Sequence, residues 1–126
     1  SVLLTTEEEG VALCAGADLG HGRAILLMQS SGVGNCVNAF SLLGTGDFPF
    51  LTLVSMRGEA GEQNRWQNPM GQAVDTVLET MGVEVRRVES SDDVIATLDG
   101  ALRSAFKEGN RVAVLLTQRL MGAKQF

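Results

Sequence analysis

Apolar positions along the chain come in short continuous runs separated by stretches where they recur every three or four residues. Leu26-Leu27-Met28, Phe50–Val54 and Val112–Leu116 are the clearest runs. Runs of that length without alternation suit strands buried on both faces, as in a parallel sheet. The pattern predicts strands at Val2–Thr5, Arg23–Met28, Phe50–Ser55, Glu84–Val88 and Arg111–Thr117. Between them, Val11, Cys14 and Ala15, then Val37, Phe40 and Leu43, then Val74, Val77, Leu78 and Met81, then Val94, Leu98, Leu102 and Phe106 mark four helices.

Boundary residues support this division. Thr6-Glu7-Glu8-Glu9 has the T-x-x-E form of a capping box, and acids in a first turn complement the helix dipole. Glycines at 20 and 22 end that helix. Gln29 to Gly34 reads as a small-residue turn, so the second helix is expected over Asn35–Leu43. Pro69 suits a first helical turn, Ser90/Ser91-Asp92-Asp93 caps the fourth helix, and Gly109-Asn110 stops it. The tail to Phe126 is short and basic-polar.

Strands alternating with helices give an α/β class: one domain over residues 1–126, with a parallel sheet and helices on both faces. In such sheets ligands sit beyond the carboxyl ends of the strands. Glu7–Glu9, Gln29–Asn35 and the aperiodic Met56–Asn68 loop all fall there.

Composition narrows the possible functions. With 126 residues the chain can bury a core without disulfides. A net charge of −5 and the lack of a basic cluster argue against non-specific nucleic-acid binding. Cys14 and Cys36 have no metal-ligand spacing and read as buried small residues of a reducing compartment. No run approaches the roughly 20 apolar residues of a membrane span, and no signal-peptide pattern is present. The cytoplasm is the expected location, with no membrane partner. The chain starts on Ser1 and enters an apolar run at once, which suggests a processed or truncated chain.

Familiar catalytic sets are missing from the sequence. His21 stands between two glycines in a helix-to-strand turn and has no second histidine for a metal pair, so no metal ligands are expected. No phosphate loop or serine triad motif occurs. Gly32-x-Gly34 opens a helix at a strand end, where the lack of side chains lets a ligand or a neighbouring backbone come close. In the triple glutamate one carboxylate can face a ligand while Glu9 caps. A plain helix start accounts for the acids equally well.

Three segments in order carry a resemblance: Glu8-Glu9-Gly10-Val11-Ala12 with Ala15-Gly16-Ala17; Met28-Gln29-Ser30-Ser31-Gly32-Val33-Gly34-Asn35; and Ser55-Met56-Arg57-Gly58-Glu59-Ala60-Gly61-Glu62 with Gln67-Asn68-Pro69-Met70-Gly71. Together they resemble the pyrimidine-binding domain of thiamine diphosphate-dependent decarboxylases, in the branch acting on sulfopyruvate and phosphonopyruvate. The resemblance implies a thiamine diphosphate-binding fold of the pyrimidine type, lacking that fold's first strand and helix.

It also implies a lyase activity on an anionic 2-oxo acid. The cofactor-activating glutamate falls on Glu8. Ser31, Gly32, Gly34 and Asn35 line the cofactor, and Arg57, Glu59 and Gln67 face the substrate. An arginine fork suits a carboxylate, sulfonate or phosphonate, although Arg57 can equally pair with Glu59 or Glu62 in its own loop. The family's Gly-Asp-Gly motif for Mg2+ and diphosphate is missing, since Asp99-Gly100 with Asn110 has neither the spacing nor the strand context. The resemblance therefore implies a beta-type partner subunit or domain holding both, within a homo- or hetero-oligomer. A non-catalytic scaffold subunit and a carboligase component are the alternatives.

Overall fold

A computed structural model describes residues 1–122 of the chain. Four strands form one parallel sheet: β1 (Leu26–Gln29), β2 (Phe50–Ser55), β3 (Glu84–Val88) and β4 (Arg111–Leu116), in the order β1-β2-β4-β3. Its centre is the β2–β4 pair, where Leu51 stands beside Val112 and Leu53 beside Val114. Helices α1 (Glu7–Leu19), α2 (Ser30–Cys36), α3 (Phe40–Thr45), α4 (Asn68–Thr80), α5 (Val94–Glu108) and α6 (Gln118–Met121) surround it. Single 3₁₀ turns lie at Arg65–Gln67 and Ser91–Asp93.

Side chains alternating along the strands feed two cores. Phe50 and Val54 of β2, with Ala113 and Leu115 of β4, meet α1 to α4 through Val11, Val33, Phe40, Leu43, Val74 and Leu78. Leu51 with Val112 and Val114 faces the other way, onto Ala101 and Ala105 of α5. Both faces of the central β2–β4 pair are therefore covered, which is why these two strands read as unbroken apolar runs, whereas Leu27 of the edge strand β1 is exposed. Among the described residues no helix is long and apolar enough to cross a membrane.

Three expectations are corrected. Val2–Thr5 is not a strand, and Leu3 is 99% exposed. An apolar groove of about 550 Å³ lies between this segment and the free edge of β1. The segment has no ladder partner there, so only Leu4 packs against the core. The segment Gln29–Gly34 is not a turn, because α2 starts at Ser30, and the single helix expected over Asn35–Leu43 is two short ones. The tail past Thr117 winds into α6, and its last residues, 123–126, lie outside the described part.

Most boundary signals perform as expected. Gly109 takes a left-handed φ of 79° and ends α5. Pro69 sits in the first turn of α4. The capping box does not form: the Thr6 side chain caps nothing, and Glu9 Oε2 accepts the N–H of Thr5, one residue before the N-cap, at 3.0 Å.

Candidate active site at the strand ends

Thr6 is extended, and the chain turns helical at Glu7. That first residue leans across α2. Asn35 Nδ2 donates to Glu7 Oε2 at 2.8 Å. Beneath it runs the backbone of Gly32, so close that a Cβ there would stand 2.6 Å from Glu7 Cγ and 2.8 Å from Oε1. Neither Gly32 nor Gly34 has a positive φ. What position 32 requires is space. At Gly34 a Cβ would lie 3.0 Å from Met70 Sδ, at the start of α4. Cys36 is fully buried nearby, and its thiol is pushed up to about 12, first by burial and then by the charges of Glu7 and Glu8.

Glu8, which the resemblance places at the cofactor, is exposed. Successive helical residues point about 100° apart, so only one glutamate of the three can face α2. That residue is Glu7. Asn35 is drawn to the same point. Ser31 is half-buried beside Gly32. The buried serine that ties the crevice together is its neighbour Ser30, whose Oγ accepts the Arg57 N–H at 3.0 Å.

The loop after β2 is held by a carboxylate at its centre. Glu62, with a side chain only 1% exposed, takes Arg57 Nε at 2.7 Å and Nη2 at 2.8 Å. It also accepts the backbone N–H groups of Gly58 and Asn64 and the Gln118 amide. The Arg57 guanidinium, then these backbone donors, hold its carboxyl well below the usual range. Glu59 does parallel work: Oε1 receives Arg87 Nη1 at 2.6 Å and Oε2 receives the Gln118 N–H at 2.7 Å. Arg87 also grips Asp75 at 2.8 Å. Gly71 carries no side chain because the Arg57 carbonyl lies against it.

Arg57 and Glu59 thus belong to one network, with the Arg57 fork closed on Glu62. Of the three residues expected on the substrate side, Gln67 differs. Its Oε1 is buried and has no hydrogen-bond partner among the described residues. A cavity of about 490 Å³ opens beside this network, lined by Glu59, Glu62, Asn68, Gly71, Gln72 and Arg87 among others. Two carboxylates against one arginine make it a poor receptor for an anion unaided. Sequence reasoning missed Gln118 and Arg87, both distant in sequence from the loop they hold. A buried glutamine directly after a central strand was the available signal. His21 is an exposed turn residue with a φ of 58°.

Fold and site together define a parallel α/β chain that presents a carboxylate over a bare glycine backbone at its strand ends. No family model matches the sequence. The chain is 37% identical over 114 residues to the sulfopyruvate decarboxylase subunit alpha of Methanococcus maripaludis, covering 90% of this chain and 68% of that one. It is 30% identical over 125 residues to the sulfopyruvate decarboxylase of Methanosarcina acetivorans, covering 98% of this chain and 32% of the relative. Over 104 residues it is 32% identical to the phosphonopyruvate decarboxylase of Streptomyces viridochromogenes, covering 81% of this chain and 26% of the relative. The chain belongs to the family of sulfopyruvate decarboxylase alpha subunits, and spans about two thirds of the length of the M. maripaludis member.

Proposed function

We propose that the chain is the alpha-type, pyrimidine-binding component of a thiamine diphosphate-dependent decarboxylase acting on an anionic 3-substituted pyruvate, sulfopyruvate or phosphonopyruvate. The observation that carries this is the Glu7 carboxylate held over Gly32. The residues present fit an aminopyrimidine ring. They offer a carboxylate with one oxygen, Oε2, already engaged by Asn35 and the other, Oε1, over backbone that no side chain fills.

Glu7, rather than Glu8, is therefore the residue that would hold a proton at Oε1 toward the ring. Ser31, Gly32, Gly34 and Asn35 line its surroundings. When bound, the cofactor supplies the nucleophile for the 2-oxo group and accepts the electrons released with carbon dioxide. Gln67 offers its buried amide oxygen on the substrate side, while Arg57 and Glu59 keep the loop in place through Glu62, Arg87 and Gln118.

The described residues gather no group of three or more His, Cys, Asp or Glu side chains placed for a metal. In this reading Mg2+ and the diphosphate belong to a beta-type partner. The subunit name of the M. maripaludis relative supports that division of labour. So does the M. acetivorans protein, in which the matched segment is 32% of the length.

The test is turnover of sulfopyruvate and phosphonopyruvate by the chain reconstituted with its beta-type partner. Glu7→Gln is expected to lower kcat by at least about 100-fold, the usual range for losing a proton-transfer group. Glu8→Gln is expected to stay close to the unmodified protein. Normal turnover by Glu7→Gln would remove the assignment.

A further inference from the structure

We propose that Asn35 is a positioning residue for Glu7: its amide fixes one carboxylate oxygen so that the other is presented over Gly32. This rests on the reading of Glu7 as the cofactor-facing carboxylate. The contact joins residues 28 apart in sequence, on two different helices, at 2.8 Å. Only the Nδ2 side of the amide can donate to a carboxylate, so the orientation of Asn35 is set by its partner.

Positions 32 and 35 lie three residues apart on α2, and residues at that spacing share a helix face. That face meets the first residue of α1. The Glu7 chain crosses at the position with no side chain, and its head ends at the position with a donor. A carboxylate on a free glutamate rotates about its last torsion, so its two oxygens exchange places. With Oε2 held by Asn35 and Cγ and Oε1 resting on Gly32, the group is fixed at its head and along its length. Preorganisation of this kind acts on the reacting geometry more than on stability, since both ends of the hydrogen bond are reached by solvent.

The experiment uses the complex reconstituted with the beta-type partner, with thiamine diphosphate and Mg2+ as the binding probe. Asn35→Ala is expected to lower kcat about tenfold, with KM for the 2-oxo acid and calorimetric cofactor affinity changed by no more than about twofold. Asn35→Asp has the same shape but sets a like charge against Glu7. It is expected to lose more activity than Asn35→Ala and to lower the thermal midpoint. Adding Glu7→Gln to Asn35→Asp restores a donor–acceptor pair, so the double variant is expected to regain the midpoint while remaining inactive.

That non-additive recovery does not depend on turnover, and a residue that merely filled space would not produce it. The proposal is overturned if Asn35→Ala keeps full kcat, if KM or cofactor affinity carries the whole effect, or if the two substitutions add in the midpoint. Failure of the underlying reading looks different. There Glu7→Gln itself turns over normally, whatever Asn35 does.

Discussion

Gly32→Ala separates the stability of the fold from the placement of Glu7. Gly32 lies inside α2 without a positive φ, so alanine suits its backbone. Replacing a helical glycine in this way favours the folded state by about 0.5–1 kcal/mol. The three heavy atoms nearest the new Cβ all belong to Glu7: Cγ at 2.6 Å, and Cδ and Oε1 at 2.8 Å. Carbon atoms settle about 3.5–4.0 Å apart, so the glutamate side chain must retreat by about 1 Å. It can do so by changing rotamer, because it ends near solvent, and the backbone need not move. A displacement of about 1 Å at a reacting group costs on the order of 100-fold in rate. Gly32→Ala should therefore melt within a few degrees of the unmodified chain by circular dichroism and lose on the order of 100-fold in kcat as the reconstituted complex. Gly44→Ala is the control, since a Cβ there meets nothing within 4 Å. Full activity in Gly32→Ala, or a collapse of its melting transition, would refute the reasoning.

Removing the Glu62 charge should make the fold less sensitive to acid. Arg57 and the backbone donors lower its carboxyl from the ordinary 4.5. The stability it contributes is therefore complete above that value and lost as pH falls below it. Between about pH 5 and about pH 2 the unmodified chain should lose more urea resistance than Glu62→Gln; equal losses would contradict the account. Leu43 is fully buried between α3 and the sheet, so Leu43→Ala should cost about 2–5 kcal/mol in urea unfolding. Cys14 and Cys36 are buried with raised thiols, so neither should react with a thiol reagent at about pH 8 until the chain is unfolded. Rapid native-state labelling would show that the α1–α2 layer opens.

The architecture was legible wherever burial alone decides structure. The apolar runs of β2 and β4 and the three- and four-residue repeat of α4 record which faces meet the core, and that record is local; Leu27 of β1 and Leu102 of α5, read as part of the same pattern, are exposed. Sheet membership is not local. Val2-Leu3-Leu4 has strand composition, but it joins no sheet among the described residues, and a groove lies between it and β1. Glycine was misleading for a related reason. Gly32 and Gly34 looked like turn residues, yet they are helical and small because Glu7 and Met70 lie over them. The loop network shows the same limit. Arg57 and Glu62 are near neighbours in sequence, whereas Gln118, which closes the network, is 56 residues beyond Glu62.

The difference between Glu7 and Glu8 comes down to helical phase. A motif of consecutive acids shows that a carboxylate stands at the helix start, but one residue turns the side chain by about 100°. Which acid faces the crevice depends on where the helix begins and on what it crosses. Here Thr6 stays extended, so Glu7 is the first helical residue and the one that reaches α2. There a glycine leaves room for its chain and an asparagine three positions later receives its head. Either feature alone is common on a helix surface. Their spacing of three along α2 selects one glutamate out of three, and a sequence search for the site should therefore pair the acidic run with a glycine and an amide three residues apart at the following strand end.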